Sequence, residues 1–268
     1  MKWKSFLRFK SVGVILALVL TVTVPVGYAA AKDGGNLGVH IVDPIKTADG
    51  YVSGTIIDAV WWNVMGTNTL LGEVGNPIRI YRGIPYAAPP VGDLRWKPPQ
   101  PVTPWSEIRE CTVFAKWPTQ KFPTIPRYGS VPETGMSEDC LYLNVLTPAK
   151  KTTDRLPVLV WIHGAGINAL SGGRPSYNLP MPAQHGVVFV TISHRLGVMG
   201  YMGHPELTQE SPMKASGNYG QLDLIAALKW VKKNIAAFGG DPDRVTIFGQ
   251  SGGGSKVKWL MTSPLLIG

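Results

Sequence analysis

Val245-Thr246-Ile247-Phe248-Gly249-Gln250-Ser251-Gly252-Gly253 is an apolar strand that runs straight into a GxSxG pentapeptide. A serine between two glycines at this spacing fits a sharp strand-to-helix turn. The serine sits in strained backbone, and its neighbours must lack side chains for strand and helix to approach. The pentapeptide alone arises by chance in roughly one chain of this size in ten, so its surroundings carry the reading. The run before it is of the buried-strand type, and Ser255 to Met261 can continue as a helix whose positive N-terminal end lies beside Ser251. The alternative is that Gly252-Gly253-Gly254 is only a flexible loop.

Upstream, Leu141 to Leu146, Val158 to Ile162 and Val187 to Ile192 are further continuous apolar runs, expected with Val245 to Phe248 to form parallel strands buried on both faces. Parallel strands need crossovers. Gln221 to Phe238 supplies one, with Leu222, Ile225, Leu228, Trp230 or Val231, Ile235 and Phe238 at helical spacing and Gly239-Gly240 as the stop. Between Gly50 and Tyr86, β-branched runs such as Thr55 to Ile57 and Ile78 to Tyr81 are broken by Gly, Asn and Pro, which predicts antiparallel strands. Residues 85–135 hold Pro85, Pro89, Pro90, Pro98, Pro99, Pro101, Pro104, Pro118, Pro123, Pro126 and Pro132, so an irregular layer is expected there. The architecture implied is an α/β fold: an antiparallel start, then a parallel sheet with helical crossovers.

Trp161-Ile162-His163-Gly164-Ala165-Gly166 is a small-residue turn leaving another buried strand. Attack on an ester carbonyl creates an oxyanion, and fixed backbone amides about 3 Å away stabilise it in the transition state. The amides of Ala165, Gly166 and Gly252 would form such a hole around the carbonyl that Ser251 attacks. Gly164 to Ala169 also fits the dinucleotide pattern GxGxxA. Gly172, Gly173 and Pro175 break the helix that should receive the pyrophosphate, and no Asp or Glu lies between Asp154 and Glu206 to hold a ribose. Arg195 could answer a 2′-phosphate.

Five stretches then stand in one order: Tyr81-Arg82-Gly83-Ile84-Pro85-Tyr86-Ala87, Ser137-Glu138-Asp139-Cys140-Leu141-Tyr142-Leu143-Asn144-Val145, His163-Gly164-Ala165-Gly166, Gly217-Asn218-Tyr219-Gly220 and Phe238-Gly239-Gly240-Asp241-Pro242. From about Gly50 onward the chain resembles the type B carboxylesterases, which include the cholinesterases and bacterial para-nitrobenzyl esterases. The resemblance implies the N-terminal half of an α/β-hydrolase fold, ending just after the nucleophile elbow, and hydrolysis of carboxylic esters. It places Ser251 at the nucleophile and Ala165, Gly166 and Gly252 at the oxyanion amides. Gln250 and Gly252 stand where many members have Glu and Ala, as in a bacterial subgroup with GQSGGG. The lost negative charge counts against cholinesterase-like selection of cationic substrates. Cys140 matches the family's second loop cysteine, whereas Trp117 occupies the partner's place and Cys111 lies upstream of it.

Residues 1–30 have a basic start, an apolar stretch from Val12 to Val24 and then Ala29, Ala30 and Ala31, the pattern of a cleaved signal peptide. Thr21, Thr23, Pro25 and Gly27 interrupt the run, which argues against a retained membrane anchor. Residues 31–268 would be the exported domain, secreted or periplasmic. Removing Lys2, Lys4, Arg8 and Lys10 takes the formal charge from +9 down by four, a mild excess without a basic run interleaved with aromatics, so nucleic acid is not an expected partner. In an oxidising compartment Cys111 and Cys140 could pair, closing a loop of about 30 residues worth roughly 3 to 4 kcal/mol by the chain-entropy argument; two free thiols are the alternative.

A serine nucleophile needs a base held by an acid, and in this fold both follow the serine in the chain. Gly252 to Gly268 contains no Asp, Glu or His. His163 belongs to the small-residue turn, and His40, His185, His194 and His204 are scattered, expected at the surface or in loops, without metal-ligand spacing. The expectation is therefore a fragment of a longer reading frame, inactive by itself, acting in the whole protein on small-molecule esters without cofactor or metal. The competing reading is a non-catalytic secreted binding or adhesion module, or a pseudogene product, of the same fold.

Overall fold

A computed structural model describes residues 42–64, 67–121 and 134–266, with the backbone alone for 57–64 and 67–76. The expected signal peptide, His40, Pro123, Pro126 and Pro132 lie outside these residues. Two short strands, β1 (Ile45–Lys46) and β2 (Tyr51–Ser53), lead into β3 (Thr55–Val64) and β4 (Thr67–Pro85), which pair antiparallel. The described part of the proline-rich stretch holds only the two-residue strands β5 (Arg109–Glu110) and β6 (Trp117–Pro118) and one 3-10 turn, as the missing amide donors dictate. After β7 (Met136–Ser137) come β8 (Tyr142–Thr147), β9 (Leu156–Ile162), the single turn α1 (Met181–Gln184) and β10 (Val188–Ile192). Short helices α2 (Gly197–Tyr201) and α3 (Pro205–Glu210) precede α4 (Tyr219–Asn234), and β11 (Gly240–Gly249) runs into α5 (Gly252–Thr262).

The main sheet has the order β11-β9-β10-β8-β4-β3. β10 and β11 both run parallel to β9, one on each side, so the connection through α4 crosses over β9. Leu141 to Leu146 departs from expectation: β8 pairs antiparallel with both β10 and β4. The apolar run reported burial on both faces correctly, but burial does not encode strand direction. Val245 to Phe248 also departs from it. Among the described residues β11 is the sheet's edge, and Thr246, Ile247 and Phe248 are only half buried.

α4 begins two residues before the predicted start and passes at Ile235 into a 3-10 turn that Gly239, at φ 78°, terminates. It buries Leu224, Ala227, Leu228 and Val231 in the main core with Val158, Val160, Val190 and Phe238. Each of the leucine and valine side chains contributes roughly 1.5 to 3 kcal/mol, which holds the crossover on the sheet. The other face carries a smaller cluster of Ile78, Ile80, Leu146, Ala183 and Phe189 beneath α1. No helix of the described residues is long and apolar enough to cross a membrane.

Candidate active site

The carboxyl ends of β9 and β11 lie side by side, with Gly249 in register with Ile162. This pairing brings the turn after β9 against the turn after β11. Ser251 stands at the N-cap of α5 with φ 55° and ψ −123°, exposed, and its side chain makes no capping hydrogen bond. For a residue with a Cβ this conformation costs roughly 1 to 3 kcal/mol, so the surroundings must impose it. They do so through close backbone approach. A methyl group on Gly253 would overlap the Ile162 carbonyl oxygen and sit 3.1 Å from that of His163; one on Gly252 would lie 2.5 Å from Gly166 Cα. The Gly253 amide donates to the Gln250 carbonyl at 2.9 Å, closing the elbow.

On the facing turn Ala165 and Gly166 both have φ 59°. Positive φ at two successive small residues lets the chain turn sharply as it leaves β9. No helix follows: residues 166–168 form a turn closed by the Asn168 amide on Ala165, so the pyrophosphate alternative has no helix end to use. Arg195 is unavailable to a 2′-phosphate as well. It is buried and donates from Nε and Nη2 to Asp223 at 2.9 and 2.7 Å, while its backbone amide also donates to Asp223. Burial pushes the Asp223 carboxyl upward, and these bonds from Arg195 pull it back. The pair fastens the loop after β10 to α4.

Asn144, within the Ser137 to Val145 motif, is buried on β8. Its Nδ2 donates to Thr191 Oγ1 at 2.8 Å and its Oδ1 accepts from the Gly83 amide at 2.9 Å. Thr191 in turn donates to Asn178 Oδ1, and Asn178 holds the Gly172 carbonyl at 2.7 Å. This buried network ties the loop after the 163–166 turn to β8 and β10.

The structure thus brings together Ser251, Gly252, Ala165 and Gly166. It does not join Cys111 to Cys140: both are buried free thiols, pushed upward by burial. Among the histidines, His185 and His204 are exposed as expected. His194 is not. It is fully buried and its ring stacks on that of His163 with centroids 4.8 Å apart and planes 9° apart. Lys256 is the residue that motif reading missed: fully buried, it donates from Nζ to the His163 carbonyl at 3.0 Å. Helical spacing could have found it, since Gly253, Lys256 and Leu260 share the buried face of α5. No group of three His, Cys, Asp or Glu among the described residues could hold a metal.

Residues 55–267 match the model of the carboxylesterase family. The chain is 48% identical over 192 residues to fumonisin B1 esterase of Sphingopyxis macrogoltabida, covering 72% of this chain and 35% of that protein. It is 41% identical over 220 residues to liver carboxylesterase 1 of Oryctolagus cuniculus, covering 78% and 37%. Among solved structures, a thermophilic para-nitrobenzyl esterase superposes with a TM-score of 0.68 at 38% identity, over 83% of this chain and 41% of that one. A Geobacillus stearothermophilus carboxylesterase gives 0.67 at 38%, over 83% and 41%. The chain therefore spans about two fifths or less of these relatives' lengths. With strand order, elbow and facing turn in place, the chain belongs to the carboxylesterase family and carries part of its α/β-hydrolase fold.

Proposed function

We propose that this chain supplies the nucleophile and oxyanion hole of an exported carboxylic ester hydrolase. Ser251 Oγ attacks the ester carbonyl, the alcohol leaves, and water then releases the acid from the acyl-serine. The amides of Ala165, Gly166 and Gly252 receive the oxyanion at both tetrahedral stages. The observation that carries this reading is the strained Ser251 backbone held directly against the 163–166 turn. In this fold the triad acid and histidine follow the serine in the chain, and this chain spans about two fifths of its relatives' lengths; we place both groups in the longer product. Export rests on the signal-like residues 1–30, and the mature chain begins near Ala30 or Ala31.

The test starts from the DNA after codon 268. A continuing frame with a carboxylate and then a histidine-containing turn supports the enzyme; a stop codon there supports a binding module or a pseudogene. In the continued product, Ser251→Ala should remove hydrolysis of para-nitrophenyl acetate by on the order of a million-fold in kcat without loss of folded protein. Fumonisin B1, named for the Sphingopyxis macrogoltabida relative, is a second substrate to assay. Retained hydrolysis in Ser251→Ala rejects the assignment. N-terminal sequencing of exported protein checks the leader, and a chain starting at Met1 in the membrane fraction rejects its cleavage.

A further inference from the structure

Lys256 has no carboxylate partner among the described residues although it is wholly buried. A buried ammonium without a counter-ion is expensive, so its one described bond, to the His163 carbonyl at 3.0 Å, needs a reason. That carbonyl belongs to the His163–Gly164 peptide. A planar trans peptide points its N–H opposite its C=O, so fixing the oxygen fixes the plane that starts the turn. The next plane is held too. His163 Nδ1 lies 3.1 Å from the Gly164 carbonyl oxygen, which can only accept, so Nδ1 carries the proton and donates. That second plane carries the Ala165 N–H.

The imidazole is kept in this state from two sides. His194 stacks on it, its own Nδ1 donating to the Arg195 carbonyl at 2.9 Å. Burial first, and the Lys256 charge second, push both imidazoles well below their ordinary range, so both stay neutral near pH 7. These two histidines, from the loops after β9 and β10, are the titratable groups that face Lys256. Burial brings Lys256 itself down from 10.5 to about 7.

We propose that Lys256 is a positioning residue for the oxyanion turn, its ammonium fixing the His163–Gly164 plane while the His163 imidazole fixes the plane that carries the Ala165 amide. The inference rests on residues 163–166 being that turn. Deprotonation of Lys256 replaces a charge-assisted bond by a weaker one and lets the turn relax, so the hole is best ordered when Lys256 is charged.

The test is an NMR titration of the purified mature gene product, continued past codon 268 where the frame continues, from pH 5.5 to 10, with 15N in glycine and alanine and 13C at lysine Cε. In the wild type the Gly164, Ala165 and Gly166 amides should titrate with the Lys256 midpoint, near neutrality. In Lys256→Met, and in Lys256→Gln, which keeps a neutral donor should the methionine variant fail to fold, those amides should show no such titration. Ser251→Ala should leave it intact. Persistence of the titration in Lys256→Gln, amides that ignore a titrating Lys256, or a Lys256 midpoint near 10.5 each overturn the proposal. Loss of the esterase reading looks different: hydrolysis surviving Ser251→Ala in the continued product, with the amide titration unchanged.

Discussion

Adding one methyl group at Gly253 and, separately, at Gly254 should move stability in opposite directions. Both residues lie in the first turn of α5, and in an isolated helix Gly→Ala is favourable by about 0.5 to 1 kcal/mol at either. At Gly254 the new carbon meets only the Gly249 carbonyl oxygen at 3.5 Å, an ordinary contact, so the helical gain survives. At Gly253 it would overlap the Ile162 carbonyl oxygen. Strand and helix would have to part by about 1 Å, and overpacking of that kind costs about 1 to 3 kcal/mol before any loss of the elbow's own bonds. The helical gain is common to both, so the variants should differ by about 1 to 3 kcal/mol. With a urea slope of roughly 2 kcal/mol per molar, their unfolding midpoints, read by far-UV circular dichroism, should separate by about 0.5 to 1.5 M, with Gly254→Ala above the wild type and Gly253→Ala below it. Soluble yield in parallel expression should rank them the same way. Equal midpoints, or a Gly253→Ala protein more stable than wild type, would refute the close approach of α5 to β9 on which the site's geometry depends.

Asp223→Ala leaves the Arg195 guanidinium buried without its acid, which should cost about 3 to 5 kcal/mol, seen as a fall in urea midpoint; a loss under 1 kcal/mol would contradict the buried pair. Lys256 makes stability depend on pH. Its folded-state value of about 7 lies below the ordinary 10.5, so between these the unfolded chain binds more protons and stability rises with pH; below about 7 both states are protonated and the contribution is lost. Cys111, raised from 9.0 to about 12, works in the opposite sense above pH 9, so the clean window is pH 7 to 9. There the wild type should gain on the order of 2 to 3 kcal/mol relative to Lys256→Met, and parallel profiles would contradict the buried cation.

Ser251, the strand before it and the small-residue turn at 163–166 were legible because each rests on a local requirement: apolar runs for buried strands, glycine where backbones meet, helical spacing along Gln221 to Phe238. What escaped reading depends on neighbours distant in the chain. The direction of β8 is set by pairing with β4 and β10, which its own apolar pattern cannot report. His194 looks like any loop histidine until the parallel pairing of β9 and β10 lays it on His163. Lys256 follows the buried face of α5, yet a lysine is read as surface by default, and only the His163 carbonyl explains its place. The cysteines illustrate the reverse, since spacing alone cannot decide whether two buried thiols meet.

Ser251 is proposed as the residue that takes the acyl group. The most direct test of that role is to treat the continued gene product with a fluorophosphonate at neutral pH, digest it, and locate the phosphonyl group by mass spectrometry. One modified residue is expected, Ser251, on the peptide spanning the GxSxG turn, with no labelling of the Ser251→Ala protein. A phosphonyl group on another serine, or labelling that survives Ser251→Ala at the wild-type rate, would contradict that role.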